Sequence, residues 1–305
     1  MAQAAYSLAC FIYRGLECYI EGMKPNDKLA KRLSESASNF LSKLQANEND
    51  RYKSWEHCYI FFHNMRGRTL NDSDYDQLCL HLAFYLASWG MYRGSSFLLQ
   101  RDYRIHKKAV KEIMRKDYDC LFGIECCALE DHKKSKLLWD LYEKIKSFYT
   151  PVREAVRKEN PKDDDEDKKD NENELSATLV TKILMGTLGC IPAYDRYFIE
   201  GVKLKEVKID GKFKKFKAAT TGICNENSLN KLIEFYRANK AIFDNEYKKM
   251  EITDVVYPEG KTYKLPYPQM KMLDMAFWQI GYEKALRDEK KKKAKKKRNK
   301  AAKRS

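Results

Sequence analysis

Apolar residues recur at three- and four-residue spacing along most of the chain, and few segments alternate. This spacing predicts helices near 3–21, 26–46, 51–65, 72–90, 104–121, 132–149, 174–188, 192–205, 226–249 and 267–289. Several open on side-chain acceptors that suit the unpartnered first N–H groups of a helix: Asn26-Asp27, Asp72 with Asp74, and Asn227-Ser228. Pro192 reads as a first-turn residue, where its missing N–H costs nothing. Two stretches read as strand, 203–218 with Asp210-Gly211 as its turn, and 252–265. The predicted fold is all-α, a two-lobed multi-helix bundle with one small β-hairpin.

The periodic pattern lapses once, in the acidic run KDDDEDKKDNENE at 162–174, which has too little apolar surface to offset the entropy of ordering. It predicts four regions: an N-terminal helical lobe at 1–158, an acidic flexible loop at 159–173, a C-terminal helical lobe at 174–289, and a disordered polybasic tail at 290–305. With 305 residues, 43% of them hydrophobic, the chain has ample material for a core. The longest apolar runs are broken by charges such as Arg14 and Glu17, so no membrane span is expected. Nine cysteines without CxxC spacing fit a reducing, cytoplasmic setting. His57 and His63 lie six apart, off one helical face, and no metal site is expected. Neither a Gly-rich phosphate loop nor a GxSxG or HExxH motif occurs, and no cofactor is expected.

Net charge is +15. The tail KKKKAKKKRNKAAKRS holds eleven Lys or Arg and no acid, the acidic run carries −5, and the remaining body keeps +9. A polyanionic partner follows, DNA first and RNA second, because each neutralised phosphate releases counterions. Lys291, Lys295, Lys297 and Arg298 of the tail are candidate phosphate ligands.

Three further segments carry candidate chemistry. In LGCIPAYDRYF (188–198), Asp195 stands at the start of a predicted helix between Tyr194 and Tyr197. An acid there is either a helix cap or a fixed reactive carboxylate. The Trp89–Ser96 loop, WGMYRGSS, gathers an indole, a phenol, a guanidinium and hydroxyls. It suits a base stacked on Trp89 or Tyr92 and a phosphate held by Arg93 and Ser95. Lys182 and Arg196 are further candidate phosphate ligands. Arg101 and His106 form an R-x4-H pair.

The succession of apolar helix, short turn, proline and Asp195 over 178–203 resembles the second half of the helix-hairpin-helix DNA glycosylase core. The resemblance implies that Asp195 faces a flipped nucleotide and stabilises the sugar cation formed as a base is removed, with Trp89, Tyr92, Tyr194 and Tyr197 around the base. Bifunctional members carry a lysine where this chain has Ser176 or Ala177, so the resemblance implies a monofunctional enzyme that leaves an abasic site. LASWGMYRGSSFLLQ and GCIPAYDRYF together are similar to an uncharacterised family of bacterial helical proteins, some from phage-defence neighbourhoods. The Arg101/His106 pair resembles HEPN-type ribonucleases, which implies an RNA-cleaving toxin. A nucleic-acid-binding protein without catalysis is the remaining reading.

Overall fold

The computed structural model describes residues 25–94, 96–159, 175–256 and 262–302. The helix expected at 3–21, the acidic loop from 160 onward and Ser95 lie outside the described residues. Ten α-helices are described: α1 (Pro25–Gln45), α2 (Ser54–Met65), α3 (Asp72–Ser88), α4 (Lys107–Ile113), α5 (His132–Glu159), α6 (Ala177–Thr187), α7 (Arg196–Val202), α8 (Glu226–Ala238), α9 (Lys240–Tyr247) and α10 (Gln269–Ala302). Two antiparallel ribbons accompany them, β1 (Glu206–Ile209) with β2 (Lys212–Lys215), and β3 (Glu251–Val256) with β4 (Thr262–Pro266). The mostly helical fold is therefore as expected, and a ribbon stands at each strand-like stretch.

The expected boundaries shift where side chains intervene. Helix α3 starts on a capping box, in which Asn71 Oδ1 accepts the Asp74 N–H and Asp74 returns an acceptor to the Asn71 N–H. The segment 104–121 is not one helix but 3-10 turns on either side of the short α4. Likewise 226–249 divides at Asn239, whose side chain donates to the Phe235 carbonyl (2.8 Å) and replaces a backbone partner. Pro192 lies outside a helix: α7 begins at Arg196, because the Asp195 side chain accepts the N–H groups of Tyr197 and Phe198. The tail expected to be disordered instead continues α10 to Ala302. Lysine and alanine are good helix formers, and the pairs Lys284–Asp288 and Glu289–Lys293 brace the transition.

The two expected lobes share one core, running from Leu29 of α1 to Ile280 of α10. Helix α10 lies against α7 and α1, while α6 packs on α2, α3 and α5. Every residue of α6 from Leu179 to Thr187 is buried, and α10 is buried on nearly all sides from Gln269 to Gly281. Such helices occupy the interior rather than a surface. The crossing of α7 and α10 depends on two glycines. A Cβ at Gly201 would overlap the Phe277 carbonyl, and one at Gly281 the Tyr197 carbonyl. Gly281→Ala should therefore lower stability by about 3 kcal/mol, read as a lower urea midpoint at unchanged slope.

Candidate functional site

The two central helices each carry a lysine into the interior, Lys182 on α6 and Lys271 on α10 (4% and 3% exposed). An uncompensated buried charge is expensive, and each lysine here meets an aspartate. Lys271 Nζ stands 2.9 Å from Asp274 Oδ2, one turn along the same helix, and Lys182 Nζ lies 3.5 Å from Asp195 Oδ2. The four charges form a neutral quartet. Burial lowers the proton affinity of Lys182, with Asp195 and Asp274 opposing that shift. Burial likewise raises the Asp274 pKa, opposed chiefly by Lys271.

The quartet organises the non-helical return between α6 and α7. Gly189 has φ +64°, and a side chain there would collide with Pro268, so the turn requires glycine. Beyond it the chain is buried without a helical ladder, and its amides need other partners. Ala193 N–H donates to Asp274 Oδ1 (3.0 Å), and Tyr194 N–H to Thr181 Oγ1 (3.0 Å); the Tyr194 carbonyl accepts from Thr178 Oγ1 (2.8 Å). Asp195 completes the return. Its Oδ1 accepts from the N–H groups of Tyr197 (3.0 Å) and Phe198 (3.1 Å), and its Oδ2 accepts from Trp278 Nε1 (3.2 Å).

Aromatic rings close over these charges. Lys271 Nζ sits 4.5 Å from the Trp89 ring centre and 5.1 Å from that of Trp55, a cation–π arrangement that occupies the donors left by Asp274. Lys182 donates to the Trp89 carbonyl (2.9 Å). Trp89 contacts Tyr52 and Trp278, and Tyr197 stands edge-on to Trp278 at 5.3 Å.

Trp89, Tyr197, Lys182 and Asp195 are thus brought together, but as a packed unit. The expected base pocket is not assembled. Tyr194 is 1% exposed and packs edge-on to Phe198 in the core. Tyr92 points elsewhere, its hydroxyl 2.8 Å from His106 Nε2. Lys182 is too deeply buried for a phosphate, whereas Arg93 is exposed and folds back over Gly90, and Arg196 is exposed beside the Tyr197 ring. Asp195 is 9% exposed with both oxygens engaged, so the structure places it as a helix cap and charge partner.

Comparison with known proteins gives no match to any family model, curated protein or solved structure. Function here rests on geometry alone.

The R-x4-H pair separates. Arg101 pairs with Glu159 at 3.1 Å, whereas His106 is wholly buried between the hydroxyls of Tyr92 and Tyr149, the latter 2.6 Å from Nδ1. A neutral imidazole offers one N–H and one lone pair, and two hydroxyls complement both. Burial lowers the His106 pKa to about 3. A ring held in this way has no path to a phosphodiester. Among the described residues no cluster of three or more His, Cys, Asp or Glu has metal-binding geometry, and no helix is long and apolar enough to cross a membrane.

The sequence reading missed Lys271, Asp274 and Trp278, which share one face of α10 at i, i+3 and i+7. Their signal was present in YPQMKMLDMAFWQI, where two charges interrupt a run too apolar to face water.

Two predictions follow from these contacts. Asp195→Ala removes a cap and strands a buried ammonium, and should cost about 3–5 kcal/mol in urea unfolding. Asp195→Asn should cost less, since its amide oxygen still accepts both N–H bonds. His106 contributes a pH dependence of known sign: between its usual pKa near 6.5 and its folded value of about 3, the unfolded chain binds a proton that the folded chain refuses. Stability should therefore drop as the pH is lowered from 6.5 toward 3, by up to about 1.4 kcal/mol per unit from this group, and His106→Gln should remove that component from the unfolding curve.

Proposed function

We propose that this chain binds nucleic acid through the polybasic end of α10 and acts as a binding protein rather than as a base-excision enzyme or ribonuclease. The observation that carries this reading is the exposure of Lys290–Lys293, Lys295 and Lys296 on a helix that continues from the core. Glu289 pairs with Lys293, leaving the other lysines of that run without an acidic partner among the described residues. Lys291 and Lys295 belong to this exposed set; Lys297 and Arg298 continue the same helix.

Lysines spread around a helix neutralise phosphates and read no base edges, so the arm supplies affinity without sequence preference. The catalytic alternatives lose their geometric support. Asp195 has its oxygens committed to amides, an indole and an ammonium, and His106 is sealed between tyrosines.

Fluorescence anisotropy with a labelled oligonucleotide over a salt series tests the proposal. Binding should be tight at low salt and weaken steeply, and replacing Lys291, Lys292, Lys295 and Lys296 with Gln should flatten the log–log salt slope by up to about 3–4. Asp195→Asn should leave affinity unchanged. No binding by the intact chain at low salt would refute the reading.

A further inference from the structure

A second basic element adjoins the foot of the arm. The β1–β2 ribbon and its flanks, KLKEVKIDGKFKKFK, hold lysines 205, 208, 212, 215 and 217, all exposed and none paired with an acid among the described residues. In this ribbon Asp210 and Gly211 both adopt positive φ (49° and 78°), the tight hairpin turn whose twist matches the strands. One face is anchored by the buried Val207 and Ile209. The register pairs Glu206 with Lys215 and Lys208 with Phe213, so the opposite face presents Lys208, Lys215, Glu206 and an aromatic ring to solvent.

Phe213 remains 53% exposed. Its ring offers an aromatic face to solvent among cations. The guanidinium of Arg287 lies 5.7 Å from its ring centre, and Arg287 stands on α10 less than one turn before Lys290. The ring, the ribbon lysines and the arm therefore form one continuous surface. Of the nearby acids, Glu200 and Asp288 pair with Lys284 and Glu283 with Arg32, while Glu206, opposite Lys215, and Asp210 of the turn are exposed among the lysines and partly offset their charge.

We infer that the β1–β2 ribbon is a binding site for unpaired nucleic acid, in which Phe213 stacks on an exposed base while Lys208 and Lys215 hold the flanking phosphates. This rests on the nucleic-acid reading above and goes beyond it, because the arm contacts only phosphates and distinguishes neither strand state nor base. A base in a duplex has both faces covered by its neighbours, whereas an unpaired one offers a face to an aromatic ring. The anchored ribbon fixes the ring in place, so little ordering cost attends the contact.

The test compares binding of the full-length protein and its variants to oligo-dT, oligo-U, a DNA duplex of equal length, and vesicles containing phosphatidylserine. Phe213→Ala should weaken binding to both unpaired strands roughly tenfold, leave their salt slope unchanged, and change duplex binding little. Phe213→Trp should restore binding, and Lys208→Gln with Lys215→Gln should reduce the single-strand slope by about 0.7 per lysine. Circular dichroism of each variant shows whether it folds, and Phe213 is exposed enough that the alanine variant should. Unequal binding of the two unpaired strands identifies which polymer the ribbon takes. Should the intact protein bind oligonucleotides while the Phe213 variants match it on unpaired strands, the ribbon inference fails and the arm reading stands. If it binds no oligonucleotide, or the vesicles alone, both fail.

Discussion

The interior depends on charge neutrality. Helices α6 and α10 are buried on nearly every side, yet each carries a lysine inward. A buried ammonium without a counter-ion would lose its hydration at a cost of several kcal/mol, so the fold is compatible only with arrangements that bring Asp195 to Lys182 and Asp274 to Lys271. Asp274 also satisfies a backbone amide of the return between α6 and α7, and Asp195 the first amides of α7. The register of α10 against that return is thereby fixed by polar contacts as well as by packing.

This constraint separates two meanings of a buried carboxylate at a helix start. A reactive acid keeps a lone pair free for water or substrate and spends its other contacts on orientation. Asp195 has instead distributed both oxygens among two amides, an indole and an ammonium. The aromatic cover of Trp89, Trp55 and Trp278 belongs to the same unit, since a cation held over indole rings is stabilised without a second carboxylate. What resembles a base pocket in a list of residues is, in space, the insulation around a charge cluster.

Much of the fold was legible in the sequence because helical periodicity survives in a chain whose elements are half exposed. The expected starts of α3 and α8 at 72 and 226 hold, although their caps are Asn71 and Asn225 rather than Asp72 and Asn227-Ser228, and α1 begins at Pro25, just before Asn26-Asp27. The misreadings share a cause, which is that side chains compete with the backbone in ways a pattern does not weigh. Asn239 divides an apparently continuous helix, and Asp195 outranks Pro192 as the start of α7. The polybasic stretch reads as disordered on charge density alone, yet lysine and alanine favour a helix and α10 supplies the template that they extend. Of the candidate site, single residues were legible and partnerships were not. Trp89, Lys182 and Asp195 do meet, but Lys271, Asp274 and Trp278, which explain the meeting, lie far along the chain, Trp278 83 residues beyond Asp195.

The continuity of α10 has a mechanical consequence. One rod has its first third embedded among the central helices, while Lys290–Lys296 further along it are exposed. From Glu289 to Ala302 it advances about 20 Å, the axial rise of roughly six stacked base pairs. A floppy polylysine would wrap a polymer in any direction, whereas a stiff strut aims its charges along a single bearing set by the body. A partner bound there, as proposed, would be held at a fixed angle to the rest of the molecule by the same helix that carries Lys271 and Asp274.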